Sequence, residues 1–143
     1  MTRRARGALI LIVFIYLVIA AQYAILTPPW QAPDEPAHFN YVKYVAEQGS
    51  LPVLQPGDYP HDYLEELKAR HFPSEMPIDS IRYEAWQPPR YYLLASPLYR
   101  AVAAKPLTQQ IIVLRLWSVA LGALLLVIAY RITRALAPDR TWL

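Results

Sequence analysis

The sequence predicts an all-α membrane protein in which two transmembrane helices are joined by a long loop carrying short amphipathic helices. Three observations predict it. Residues 8–26 and 111–130 are almost purely apolar and carry one charge between them, Arg115. Residues 27–110 hold 13 of the 14 prolines, all three histidines and 10 of the 11 acidic residues. A soluble domain interleaves its apolar and polar residues, and this chain segregates them. There is no cysteine, which excludes a disulfide framework, a cysteine zinc site and a thiol nucleophile. The net charge of +3 comes from the chain ends and not from a basic patch, so no nucleic-acid partner is expected.

The elements follow in order. Residues 1–7 are a basic amino terminus with Arg3, Arg4 and Arg6. Residues 8–26 form the first span, since about 20 apolar residues at roughly 1.5 Å rise cross a bilayer core of about 30 Å. Its apolar run exceeds that of a cleavable signal peptide, so an uncleaved anchor is expected. Tyr23 and Trp30 mark its far end as interfacial aromatics do. The second span is 111–130, followed over 131–143 by a tail with Arg131, Arg134 and Arg140, and with Trp142 beyond. The positive-inside rule places both termini in the cytoplasm and residues 27–110 outside, in the periplasm or beyond the cell. Arg115 lies about one turn inside the second span, where it either snorkels to the interface or pairs with a loop carboxylate or an anionic ligand.

Within the loop, Asp34, Glu35 and Pro36 open a helix over 35–48 that Gly49 stops. His38, Tyr41, Val42 and Val45 share one of its faces. Residues 51–60 read as extended chain. Asp62 and Glu65 have capping-box spacing, which predicts a short helix over 62–70 with Glu66 and Arg70 paired at i,i+4. Residues 71–81 read as irregular. Pro88-Pro89 starts a helix over 89–104, kinked near Pro97, whose Tyr, Leu and Ala content suits the membrane interface.

The sharpest chemical feature is Asp34-Glu35. Neighbouring helical residues point about 100° apart, so the two cannot flank one bond as a glycosidase pair does. One carboxylate as a general base, with the other orienting it or holding a metal, fits better, while a plain N-cap is the non-catalytic reading of Asp34. His38 either orients Asp34 across one turn or shares a metal with Asp34 and Glu35. Asp, Glu and one His fall short of a complete zinc set. The loop's eight tyrosines, with Trp30 and Trp86, could stack on sugars or anchor an interface.

The order of motifs adds a resemblance. Pro28-Pro29-Trp30-Gln31-Ala32-Pro33-Asp34-Glu35-Pro36-Ala37-His38-Phe39-Asn40-Tyr41 is followed by Gly49-Ser50-Leu51-Pro52-Val53. Then come Gln87-Pro88-Pro89 with Tyr91-Tyr92-Leu93-Leu94, and a second span opening on Leu114-Arg115-Leu116. Over essentially the whole chain this resembles the amino-terminal part of bacterial polytopic glycosyltransferases with the C-type membrane fold. These are relatives of the dolichyl-phosphate-mannose protein mannosyltransferases and of the lipid A aminoarabinose transferases. The resemblance implies transfer of a sugar from a polyprenyl-phosphate carrier to an acceptor hydroxyl on a glycan, lipid or protein, at the outer face of the bacterial plasma membrane. It implies that Asp34 is catalytic, with Glu35 as helper or second ligand of a divalent metal, Mg²⁺ or Mn²⁺. His38, Gln87 and Tyr91 would shape the substrate site, and Arg115 would face the carrier phosphate. Arg90 departs from the apolar residue usual after Pro-Pro. Family members continue through many more spans, so an amino-terminal module inactive by itself is expected. A non-enzymatic two-span protein or partner subunit with an external binding loop is the alternative.

Overall fold

A computed structural model describes residues 3–32 and 34–137. Pro33, Arg140 and Trp142, used above, lie outside the described residues. All regular structure among the described residues is helical: α1 (Arg3–Leu26), α2 (Glu35–Gln48), α3 (His61–Ala69), a 3₁₀ turn (Tyr83–Trp86), α4 (Arg90–Val102) and α5 (Leu107–Leu136). The chain divides into two compact units, one of Thr27–Leu114 and one of the two terminal stretches, through Leu26 and from Arg115 onward.

In the terminal unit, α1 and α5 are both long and apolar enough to cross a membrane. Their side chains stay largely uncovered: Ile10, Phe14, Ile19 and Leu125 are all more than half exposed. Both helices continue past the apolar runs into flanking arginines, since arginine is itself a good helix former. Within this unit Gly122 of α5 admits Tyr16 of α1, whose hydroxyl would collide with any Cβ placed there. Within the same unit, Arg115 reaches a backbone carbonyl of α1. Its Nη1 donates to the Ala24 carbonyl at 3.1 Å, in the last turn of α1, where carbonyls lack helical partners.

In the Thr27–Leu114 unit, α2 is the central element. It buries residues around most of its circumference, from Pro36 and Ala37 to Val45 and Ala46. One side meets α4, where Phe39 packs edge-on against Tyr99 and Tyr41 stacks on Tyr92 at 3.6 Å. Another side contributes Ala37 to a core with Leu64 and Leu67 of α3 and Ile81. Asn40, buried between them, donates to the carbonyls of Ile78 and Ile81 and so ties the irregular segment to α2. The α2 C-terminus ends on Gly49 in the left-handed region, whose N–H reaches the Val45 carbonyl. Arg100 of α4 adds its Nε to the Ala46 carbonyl at 2.7 Å, a cation at the negative end of the helix.

Two local expectations change. Asp34 stands at the N-cap position of α2, yet its side chain makes no capping bond and its backbone is left-handed, with φ 60°. The Asp62–Glu65 capping box does not form. Pro60 is the N-cap, its carbonyl accepting the Leu64 N–H at 2.9 Å, so the helix starts before Asp62. Glu65 pairs with Lys68 instead, while Glu66 and Arg70 do meet, at 3.4 Å. Pro97 sits inside α4, where its ring removes the N–H owed to Leu93, and the Ser96 hydroxyl donates to that carbonyl at 3.2 Å.

Candidate functional site

The chain between α1 and α2 turns sharply. Trp30 takes φ 67° and Asp34 takes φ 60°, both in the left-handed region. Aspartate tolerates it, whereas a tryptophan there stores of order 1–3 kcal/mol of strain. Packing holds Trp30 in place: its ring meets Phe39 edge-on at 5.3 Å and Phe72 at 6.5 Å. Its backbone N–H donates to Glu35 Oε2 at 2.8 Å. Glu35 therefore braces the turn that presents Asp34.

With its backbone turned away from capping geometry, Asp34 directs its carboxylate elsewhere. Oδ1 accepts a 2.6 Å hydrogen bond from the hydroxyl of Tyr83, 49 residues away in the 3₁₀ turn. Burial, and then the Asp34 carboxylate itself, push the Tyr83 phenol well above the usual tyrosine range. It stays protonated and donates at any physiological pH. Asp34 remains exposed to solvent.

Asp34, Leu64, Lys68 and Tyr83 line two cavities in common. One, of about 460 Å³, is completed by Leu54, Gln55, Gly57, Tyr59 and Trp86. The other, of about 440 Å³, adds Trp30, Gln31, Ala32, Pro36, His71 and Phe72. All four non-glycine residues with positive φ among the described residues, Trp30, Asp34, His71 and Phe72, line this second cavity. Strained backbone concentrates where a fold presents groups for function. Lys68 is held by Glu65 at 2.8 Å, and that bond foremost, with a smaller contribution from Asp34, raises its pKa.

The Gln55 side of the first cavity is also fixed. Asp58, buried, accepts from the Gln55 N–H at 2.7 Å and pairs with Arg82 at 2.8 Å. The Arg82 N–H returns to the Asp58 carbonyl, tying the 55–58 turn to the residue before Tyr83. Two of the segments that line the cavity are thus tied together.

The residues singled out from sequence separate into three places. Asp34 lines both cavities, and Glu35 braces the Trp30 turn next to it. His38, Gln87 and Tyr91 gather instead around Tyr92, outside the residues that line the cavities. His38 Nδ1 shares a 2.8 Å hydrogen bond with the Tyr92 hydroxyl, Tyr91 packs edge-on against Tyr92, and the Gln87 carbonyl accepts from Tyr41 at 3.3 Å. Burial, followed by the charge of Glu84, lifts the Tyr92 phenol above its usual range. Glu84 Oε2 is buried there without a hydrogen-bond partner. Arg115 belongs to the other unit, at the Ala24 carbonyl. Tyr83, Lys68 and Gln55 were not anticipated; they lie in segments without periodicity or on a short charged helix.

A metal held by Asp34, Glu35 and His38 does not fit this arrangement. The first two are turned to Tyr83 and Trp30 and the third to Tyr92, and no group of three metal-ligating side chains occurs among the described residues. Compared with known proteins, the chain matches no family model, no curated protein and no solved structure.

Proposed function

We propose that the chain carries the catalytic base of a membrane glycosyltransferase, which moves a sugar from a polyprenyl-phosphate carrier to an acceptor hydroxyl at the outer face of the plasma membrane. The motif order resembles that family. The observation that carries the reading further is Asp34, an exposed carboxylate on a strained turn, held at one oxygen by Tyr83 and shared by two cavities. The arginines that flank α1 and α5 support cytoplasmic termini, which would put the Thr27–Leu114 unit outside.

In this reading the acceptor oxygen attacks the anomeric carbon. The carbon–oxygen bond to the carrier phosphate breaks with its electron pair, so the phosphate leaves without needing a proton. The acceptor's proton passes to the Asp34 carboxylate, and the configuration inverts. Tyr83 keeps Oδ1 hydrogen-bonded, so the other carboxylate oxygen faces the acceptor. No step runs through a metal.

The test is a chromosomal Asp34→Asn substitution, followed by incorporation of labelled sugar from polyprenyl-phosphate donors into envelope acceptors by native membranes. Loss of a positioned general base lowers the rate by about 10²–10⁴-fold. Glu35→Gln, whose amide oxygen still accepts from Trp30, is expected to cost less than about 10-fold. Transfer unchanged in Asp34→Asn membranes would sink the assignment.

A further inference from the structure

The cavity of about 460 Å³ combines features that a sugar requires and a hydrocarbon does not. Trp86 is 65% exposed and Tyr59 is 54% exposed, so two aromatic residues stand uncovered on its lining. Tyr59 is fixed by an edge-on contact with Tyr83 at 5.0 Å and by its hydroxyl on His61. Among the same lining residues are Gln55, the Lys68 ammonium, the Tyr83 hydroxyl and the Asp34 carboxylate. An aromatic wall accepts the C–H face of a pyranose, and the polar groups accept and donate to its hydroxyl rim. A prenyl chain would desolvate these groups, the free Asp34 oxygen among them, without offering them a hydrogen bond. The charged side chains on the lining are one anion and one cation, Asp34 and Lys68, which suits an uncharged sugar better than a uronate. The size falls in the range of about 300–1,000 Å³ usual for small-molecule sites.

We infer that this cavity binds a neutral pyranose glycan on the Trp86–Tyr59 wall with a hydroxyl directed at Asp34, which makes the acceptor a carbohydrate. The inference rests on the transferase reading for its word acceptor, but the binding it asserts is independent of transfer. Because the wall is uncovered, Trp86 has little part in holding the fold together. The tie between Asp58 and Arg82 keeps the Gln55 side of the cavity at a fixed distance from Tyr83.

The experiment is saturation-transfer NMR and calorimetry on the full chain in nanodiscs. The probes are four neutral linear tetrasaccharides, an α-glucan, a β-glucan, an α-mannan and a β-galactan, with farnesol as the hydrocarbon control. At least one sugar is expected to bind saturably with a Kd in the millimolar range or below, and Trp86→Ala to weaken it by roughly 10-fold. Trp86→Phe should retain most of the affinity, and Gln55→Ala should weaken binding several-fold. Asp34→Asn keeps an accepting oxygen for that hydroxyl, so binding should weaken by less than about 10-fold while transfer falls by about 10²–10⁴-fold, which separates this inference from the catalytic one. The inference is overturned if no probe saturates below about 20 mM, or if Trp86→Ala binds as well as the parent. It is equally overturned if farnesol alone binds in a Trp86-dependent way. Transfer abolished in Asp34→Asn membranes together with no glycan binding would leave the transferase and remove the carbohydrate acceptor.

Discussion

The terminal unit leaves most of its large apolar side chains uncovered, whereas the Thr27–Leu114 unit encloses a core of its own. In α1 only Ala24 is buried, while α2 buries eight of its fourteen residues. Exposed leucine and isoleucine over whole helices are tolerated where the surroundings are as apolar as they are. The Thr27–Leu114 unit instead builds a water-soluble kind of core, with Leu67 and Ile81 fully enclosed. Yet both units close a helix end in one way. Arg115 donates to the last turn of α1 and Arg100 to the last turn of α2. Unpaired carbonyls at a helix C-terminus are the same problem in either setting.

The largest way to test this contrast is at leucine. Leu67→Ala should destabilise the Thr27–Leu114 unit by about 2–5 kcal/mol, because it leaves a cavity in a closed core. Leu125→Ala, at a side chain 65% exposed on α5, should cost less than about 0.5 kcal/mol. Tryptophan-fluorescence melting in nanodiscs reads both, and equal losses would break the comparison. Next, Arg100→Ala should lower stability by roughly 1.5–3 kcal/mol by withdrawing a charged donor from the α2 terminus. Amide hydrogen exchange should then rise first over residues 45–49.

Smaller effects sharpen the role of the braces around Asp34. Tyr83→Phe keeps the ring beside the core but removes the donor to Oδ1, so transfer should slow by about 3- to 10-fold with little change in melting. A loss as large as that of Asp34→Asn would make the hydroxyl a direct participant. Smallest is the Lys43–Asp79 pair, at 2.8 Å and largely solvated. The hydrogen bond from Lys43 lowers the Asp79 pKa below 3.8, and the same bond raises Lys43 above 10.5. A depressed carboxylate stabilises above its unfolded value and loses this as pH falls through the folded one. A raised ammonium stabilises below its unfolded value and loses this as pH rises through the folded one. Asp79→Asn should therefore cost at most about 1 kcal/mol at pH 7 and nothing once the parent's Asp79 is protonated, by melting at both pH values.

Much of the architecture was legible from the sequence, and each success has a local cause. The two apolar runs needed only length and hydropathy. The bounds of α2 followed from Pro36 near its start and Gly49 past its end, because backbone conformation at those residues is set within a few bonds. The Asp62 capping box failed for an equally local reason: Pro60, two residues earlier, already supplies the helix with its first accepting carbonyl.

The sequence by itself determined the separation into apolar spans and a proline-rich middle and the placement of α2, and it singled out Asp34-Glu35 as the candidate pair. Only the tertiary structure decided what each carboxylate contacts. Tyr83 meets Asp34 across 49 residues of chain, Arg100 meets α2 across 54, and His38 turns to Tyr92 across another 54. No short-range rule reaches over such separations. These partners are set by how α2 packs against α4 and the 3₁₀ turn, and packing depends on all the buried side chains at once.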